Sequence, residues 1–229
     1  MTPASIQLPF NFAFGSEADF HSFCCEAANA PLFHQLQQDT RAQGQFLWLW
    51  GAGGCGKTHL LQAFCQAHPE AIYLPLEKLL AYEPQSLASL QHSSLLVLDD
   101  MELVAGQPEW EEQLFNLCQQ LLVNGGRLVC TALSPPALVQ FRLADLQSRL
   151  QLALVYEVHE LSDAGKASVL TERARQRGIE LREEVVNFIL ARNQRNLHDL
   201  MAVLDQLDRQ ALAEQRKITI PFIKACLHW

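Results

Sequence analysis

A glycine-rich segment near residue 50 has the residue types and spacing of a phosphate-binding loop. Gly51 and Gly56 are separated by four positions, and Lys57 and Thr58 follow directly. Glycines let backbone N–H groups wrap closely around a phosphate, and the positive end of the following helix points at the same anion. Lys57 supplies a charge for the β- and γ-phosphate oxygens, and the Thr58 hydroxyl is a ligand for Mg²⁺. The predicted nucleotide-binding residues are Gly51, Ala52, Gly53, Gly54, Cys55, Gly56, Lys57, Thr58 and His59.

Two adjacent carboxylates follow an apolar run later in the chain. The stretch LLVLDD ends in Asp99, which lies 42 residues after Lys57, and in the adjacent Asp100. A loop of this kind needs a carboxylate at the end of a neighbouring strand to hold the metal, and Asp99 is predicted to do so together with Thr58. Asp100 is then placed to orient an attacking water. The alternative role for both acids is to cap the turn after the strand.

Strands and helices alternate around these groups. Apolar runs predict buried strands at 45–50, 71–74, 94–98, 127–131 and 153–158. The clearest helix between them runs from Glu109 to Val123, and its apolar face comprises Trp110, Leu114, Leu117, Leu121 and Leu122. Alternation of this kind predicts an α/β domain with a parallel sheet covered on both sides.

After residue 158 the pattern changes to helices alone. Ser162 is a predicted cap for a helix that stops at Gly178, and further helices are predicted over 182–192 and after Pro221. Between them lies a long helix with an apolar stripe of Leu197, Leu200, Met201, Leu204, Leu207 and Leu212. These helices predict a small bundle that packs as a lid on the sheet domain.

The segment before the first strand is predicted to hold two helices. One is capped by Ser16 and continues through Phe20, Phe23 and Ala27, and the other runs from Pro31 to about residue 41. We therefore expect an extended arm over 1–15, the α/β domain over 16–159 and the helical lid over 160–229.

Charge and composition favour a cytoplasmic protein that binds another protein. No apolar run approaches the roughly 20 residues of a membrane helix, and the N-terminus lacks the basic start of a secretory signal. The seven cysteines form no metal-binding pattern and are expected to be reduced and mostly buried. Residues 1–159 hold 6 basic against 15 acidic residues, the wrong sign for a surface that binds DNA directly.

Four motifs give the chain a resemblance to a known family. GKTHLL at 56–61, LLVLDDMELVAG at 95–106, LQSRL at 146–150 and LDQLDR at 204–209 resemble the AAA+ module of the DnaA replication initiators. They are more similar still to the Hda family of DnaA-related proteins, which switch the initiator off. The resemblance implies an AAA+ P-loop NTPase with a five-stranded parallel sheet and a small all-helical lid. DnaA continues into a DNA-binding domain, which is not expected here because the sequence stops where the lid should end.

The resemblance also implies a mechanism in which the chain acts on another molecule. The protein would hold ADP, or ATP, with Mg²⁺ and dock on the sliding clamp, the β subunit of the DNA polymerase, so that it meets DNA only through the clamp. Arg149 would then reach ATP on a neighbouring DnaA and stimulate its hydrolysis. Arginine fingers of this kind contribute about 10³ to 10⁵ in rate. Without the resemblance, a surface ion pair is the simpler role for Arg149; a homo-oligomer would also give a trans-acting arginine a neighbour.

Two positions depart from the family pattern and predict weak hydrolysis of the chain's own nucleotide. The family has an aspartate near the γ-phosphate where this sequence has Leu133, which cannot hydrogen-bond a phosphate. In the lid, the family's arginine is replaced by His198, and a neutral imidazole offers fewer donors than a guanidinium. His198 either reaches a β-phosphate or lies on the helix surface, and Arg195 is the alternative donor. Both losses favour retention of ADP.

The N-terminal arm resembles the short clamp-binding peptide of the family. In SIQLPF, at 5–10, the apolar anchors are Ile6, Leu8 and Phe10, Pro9 is kept, and Ser5 stands where the family has glutamine. An extended peptide with spaced apolar anchors suits a pocket on a partner. The alternative is that these side chains fold back onto their own domain.

Two other functions compete with the regulator. An autonomous AAA+ ATPase of the helicase or clamp-loader type would form a ring and hydrolyse its own ATP. A P-loop kinase would close a lid over a small acceptor, but no second substrate site is evident in the sequence.

Overall fold

The computed structural model describes residues 19–20, 23–38, 44–192, 197–227 and 229. The predicted clamp-binding residues Ile6, Leu8, Pro9 and Phe10 lie outside these ranges, as does Arg195.

Five parallel strands form one sheet in the order β2-β3-β4-β1-β5. The strands are β1 Phe46–Trp50, β2 Ile72–Pro75, β3 Leu95–Asp99, β4 Arg127–Ala132 and β5 Leu154–Glu157. The central strands β1, β3 and β4 are almost wholly buried, which explains why their sequences are continuous apolar runs without alternation. The predicted α/β fold with a five-stranded parallel sheet is confirmed.

One helix of the α/β domain precedes the first strand, and the others lie in the connections between strands. These helices are α1 Ala30–Gln37, α2 Lys57–Ala67, α3 Leu76–Leu79, α4 Pro108–Val123 and α5 Ala144–Leu150. Helix α4 buries the face predicted for it, including Trp110, Leu114 and Leu121, against the main apolar core. Because each helix returns the chain to the amino edge of the sheet, the ends of β1, β3 and β4 and the loops that follow them meet at the carboxyl edge.

The C-terminal helices form their own apolar core. They are α6 Asp163–Gln176, α7 Glu183–Arg192, α8 Leu197–Glu214 and α9 Ile220–Leu227. The hydroxyl of Ser162 accepts a hydrogen bond from the N–H of Gly165 at 3.1 Å and caps α6, as predicted. The core groups Leu200, Leu204 and Leu207 of α8 with Leu170 and Phe222. The contacts between described residues define two compact units: one comprises the described residues up to 52 together with 57–159, and the other comprises 53–56 together with the described residues from 160 onward.

Two details of the predicted helices are wrong. Residues 23–26 are not helical, although Phe20, Phe23 and Ala27 have helical spacing, because the ring of Phe23 stacks instead on Phe33 of α1 with centroids 5.7 Å apart. Leu212, predicted in the apolar stripe of α8, is 80% exposed. Among the described helices, none combines the length and apolarity that crossing a bilayer requires.

Candidate nucleotide site and the Arg149 helix

The phosphate-binding loop joins the carboxyl end of β1 to the first turn of α2. Gly54 and Gly56 have φ angles of +78° and +103°, which side-chain-bearing residues rarely adopt. Helix α2 begins at Lys57, so the N–H groups of its first turn and the positive end of its dipole face the loop. The glycines in the sequence therefore correspond to a backbone geometry that other residues could adopt only with strain.

Lys57 is buried inside this loop. The residue is only 6% exposed, and its Nζ donates to the carbonyl oxygens of Gly51 and Ala52 at 2.7 and 2.9 Å. These carbonyls orient the ammonium without neutralising its charge. The loop can therefore present a fixed cation to a phosphate group.

Asp99 lies at the carboxyl end of β3 and is 2% exposed. Tyr73 Oη donates to Oδ2 at 2.7 Å, and Thr131 Oγ1 donates to Oδ1 at 2.5 Å. Burial and the carboxylate raise the pKa of the Tyr73 phenol, so this donor keeps its proton. Sequence reasoning missed Tyr73 and Thr131, since both lie on other strands and become neighbours of Asp99 only through the sheet register.

These oxygens suit Mg²⁺ as part of a shared site. Magnesium takes carboxylate and hydroxyl oxygens and completes its shell with water and substrate phosphates. Within the described residues, no group of three or more His, Cys, Asp or Glu side chains could hold a metal alone. Thr58 and Asp99 would therefore hold Mg²⁺ together with a bound nucleotide, and the metal would neutralise charge on its phosphates.

Asp100 is held in an unusual backbone conformation beside this site. Its φ and ψ angles are +63° and +56°, and its N–H donates to Thr131 Oγ1 at 2.9 Å. The same hydroxyl thus fixes Asp99 and the backbone of Asp100. Burial, followed by repulsion from Asp99 and Glu102, raises the pKa of the Asp100 carboxyl to about 6. A carboxylate with this pKa is suited to accept a proton from water near neutral pH.

The two positions that depart from the family pattern offer little to a phosphate. Leu133, just after β4, is 53% exposed and apolar. The neighbouring polar group, the Thr131 hydroxyl, is already bonded to Asp99. His198 is exposed on the first turn of α8. On the α/β unit, His59 of α2 stacks on Phe23 with ring centroids 6.0 Å apart, a contact that the sequence pattern did not predict.

Arg149 lies in the last turn of α5, toward the edge of the sheet at which the strands begin. Strand β5 is parallel to β1, and its first residue, Leu154, pairs with Leu47 near the start of β1. Helix α5 therefore runs from the carboxyl edge, where β4 ends, toward the amino edge, where β5 begins. The P-loop lies at the carboxyl edge of β1. The end of α5 that carries Arg149 therefore lies toward the start of β1, not toward the carboxyl end of β1 that leads into the phosphate loop.

The guanidinium of Arg149 is partly buried and held by a neutral partner. Nη2 donates to Oε1 of Gln119 on α4 at 3.4 Å. None of the ion pairs between described residues includes Arg149. The simple surface ion pair is therefore not the arrangement found in the described part of the chain.

Comparisons with known proteins agree with the motifs in the sequence. Residues 163–227 match the family model of the Hda lid domain. Domain III of the Thermotoga maritima replication initiation protein DnaA superposes with a TM-score of 0.83 and 21% identity over 95% of this chain and 98% of that one.

Two further structures extend the likeness of the fold. AMPPCP-bound DnaA from Aquifex aeolicus has a TM-score of 0.70 and 19% identity, over 83% of this chain and 64% of that chain. A Thermotoga maritima RuvB variant has a TM-score of 0.72 and 13% identity, over 92% and 71%. The predicted resemblance is confirmed: the chain has the fold of the AAA+ domains of DnaA and RuvB, and its residues 163–227 are similar to the lid domain of Hda.

Proposed function

We propose that this chain is a DnaA-related regulator that holds an adenine nucleotide and stimulates ATP hydrolysis by DnaA in trans, which restrains the initiation of replication. The observation that carries the proposal is the position of Arg149 in the last turn of α5, away from its own phosphate loop. We infer that a guanidinium there acts on the nucleotide of a neighbouring molecule rather than on that of its own chain. It would neutralise the charge that develops on the partner's ATP during phosphoryl transfer.

The phosphate loop is then a holding site. Lys57 and the N-terminus of α2 bind the phosphates, and Thr58 and Asp99 hold Mg²⁺. The AMPPCP bound by the Aquifex DnaA supports an adenine nucleotide as the ligand. ADP is the favoured occupant because the apolar Leu133 offers nothing to a γ-phosphate, and His198 replaces the arginine expected in the lid.

Hydrolysis by the chain alone should be slow for the same reason. Asp100 can orient a water and accept its proton, but catalysis of phosphoryl transfer depends mainly on charges placed around the γ-phosphate. Leu133 leaves one of these places without a polar group. The chain therefore binds nucleotide better than it cleaves it, and the chemistry occurs on the partner.

Docking on the sliding clamp would bring the chain close to DnaA on DNA. The segment SIQLPF carries the spaced apolar residues Ile6, Leu8 and Phe10 that a clamp pocket would accept, and Pro9 reduces the entropy lost on binding. The acidic balance of residues 1–159 opposes direct binding to DNA, so the clamp provides the link to DNA in the cytoplasm.

Replacement of Arg149 tests the proposal. With DNA-loaded clamp present, Arg149→Ala should lower the stimulated rate of ATP hydrolysis by DnaA by about 10³-fold or to the unstimulated rate, as expected for an arginine finger. Arg142→Ala, an exposed arginine just before α5, is the matched control and should retain stimulation. Full stimulation by Arg149→Ala would refute the proposed function.

The likeness to RuvB, solved as a branch migration motor, favours a second candidate, an autonomous remodelling ATPase. It predicts steady phosphate release by the isolated chain, abolished by Lys57→Ala. The regulator predicts almost no release in the same assay.

A further inference from the structure

A buried carboxylate on α4 joins two loops of the α/β domain. Glu111 is 0% exposed, yet its side chain is ionisable. Its Oε1 accepts from the N–H of Gly106 at 2.6 Å, and Oε2 accepts from the N–H of Leu143 at 2.7 Å. Burial of a carboxylate is costly unless both oxygens are bonded, and charge-assisted bonds of this length are strong. Glu111 therefore links these two backbone positions tightly.

The two linked positions have separate roles. Gly106, with φ at +81°, ends the short segment that follows Asp99 and Asp100. Leu143 is the N-cap residue of α5, and no side chain caps that helix. Glu111 thus takes the place of a cap at the start of the helix that carries Arg149, and connects it to the segment after the acidic pair.

A second residue of α4 holds the other end of α5. Gln119 lies eight residues after Glu111, roughly two turns along the same helix, and accepts the hydrogen bond from Arg149. Helix α4 is itself anchored in the main core through Leu114, Leu117 and Leu121. Both ends of α5 are therefore bonded to one rigid element.

We propose that α4 positions the Arg149 finger, with Glu111 as the positioning residue for the start of α5 and Gln119 as the residue that orients the guanidinium. This inference rests on the proposed function, because it concerns the geometry with which Arg149 meets a partner's ATP. A shift of about 1 Å in a catalytic group costs up to about 100-fold in rate. Loss of the Glu111 link should therefore lower catalysis without weakening nucleotide binding or docking.

Glu111→Gln is the test variant, and Glu112→Gln, an exposed neighbour on α4, is the matched control. In Glu111→Gln an amide N–H₂ must face a backbone N–H, so one bond is lost at nearly constant volume. Maximal stimulation of DnaA should fall by about tenfold or more. The concentration that gives half-maximal stimulation and the nucleotide content of the folded protein should match the control. Stimulation equal to that of Glu112→Gln would overturn the inference.

A double-mutant comparison separates positioning from general stability. In an Arg149→Lys background, which keeps a positive charge but loses the guanidinium that Gln119 orients, Glu111→Gln should lower the melting temperature as much as it does alone but cause a much smaller further loss of stimulation. Equal further loss in that background would overturn the inference. If Arg149→Ala proves as active as the wild-type chain, the proposed function itself fails, a result distinct from failure of Glu111→Gln alone.

Gln119→Met provides the test if Glu111→Gln does not fold. It removes the partner of Arg149 from a partly exposed position without burying a new polar group. We expect about fivefold lower maximal stimulation, the effect of one lost hydrogen bond, with an unchanged melting temperature. Unchanged stimulation would contradict the positioning role of α4.

Discussion

Single residues at the candidate site are held by partners that lie far away in the sequence. The motifs predicted Lys57, Thr58 and Asp99, since these positions follow a fixed spacing relative to a strand and a glycine loop. Tyr73 and Thr131 could not be predicted, because their contact with Asp99 depends on the register of three strands. The bond from the N–H of Asp100 to Thr131 likewise has no local signature.

Asp100 makes stability depend on pH. Its pKa is raised to about 6 in the folded protein, mainly by burial, so the folded state binds the proton more tightly than the unfolded state does. Between the ordinary pKa of an aspartate and pH 6, the free energy of unfolding therefore falls as the pH rises. Above pH 6 the buried, ionised Asp100 carboxylate destabilises the folded state. Asp100→Asn should therefore raise the unfolding free energy at pH 7 by about 1 kcal/mol, after allowance for partial exposure, and have little effect near pH 3.

Urea unfolding of the wild-type chain and of Asp100→Asn at both pH values measures this effect. Asp145→Asn, an exposed aspartate of α5, serves as the control. A stabilisation that is the same at both pH values would show that the ionised carboxylate is not its source.

Thr131 contributes through its hydroxyl. Thr131→Val keeps the shape of the side chain but removes the donor to Asp99 and the acceptor for the N–H of Asp100. The expected loss of unfolding free energy is about 1 to 3 kcal/mol, because a buried carboxylate oxygen and a backbone N–H lose their partner. Thr171→Val, at a hydroxyl on the exposed side of α6, should cost much less in the same denaturation experiment. Equal losses of unfolding free energy in the two variants would show that the Thr131 hydroxyl does not stabilise the site.

At the scale of elements, periodicity and burial predicted most of the fold. Each strand was expected within about one residue of its observed bounds, because buried parallel strands are short apolar runs that end in turn residues. The segment around Phe23 is the exception. Its aromatic residues have helical spacing but pack on Phe33 and His59, so tertiary contacts override the local pattern.

The Ser162 cap gives a test of the lid by itself. Ser162→Ala removes the acceptor for the Gly165 N–H at the start of α6. Loss of an N-cap side chain costs about 1 kcal/mol. Amide hydrogen exchange over α6 should therefore become about fivefold faster where exchange follows unfolding of this helix. Ser168→Ala, an exposed serine inside α6, should leave exchange unchanged or slower, and faster exchange in both variants would contradict the capping role.

At the scale of the whole molecule, we propose one site that holds nucleotide and a separate arginine that acts on a partner. The motifs could predict both features, but the direction of α5 relative to the phosphate loop required the strand order and the parallel pairing of β1 with β5. The hydrogen bonds that Glu111 accepts from two loops could not be predicted from the sequence either, because a glutamate in an amphipathic helix is usually exposed to solvent.

The most direct measurement follows two nucleotides at once. DnaA is loaded with ATP carrying one γ-phosphate label, and this chain with ATP carrying another, and both are mixed with DNA-loaded clamp. The account predicts rapid release of the DnaA label and almost none of the other, with release from DnaA lost in Arg149→Ala. Release mainly from the nucleotide of this chain, or undiminished release from DnaA with Arg149→Ala, would contradict it.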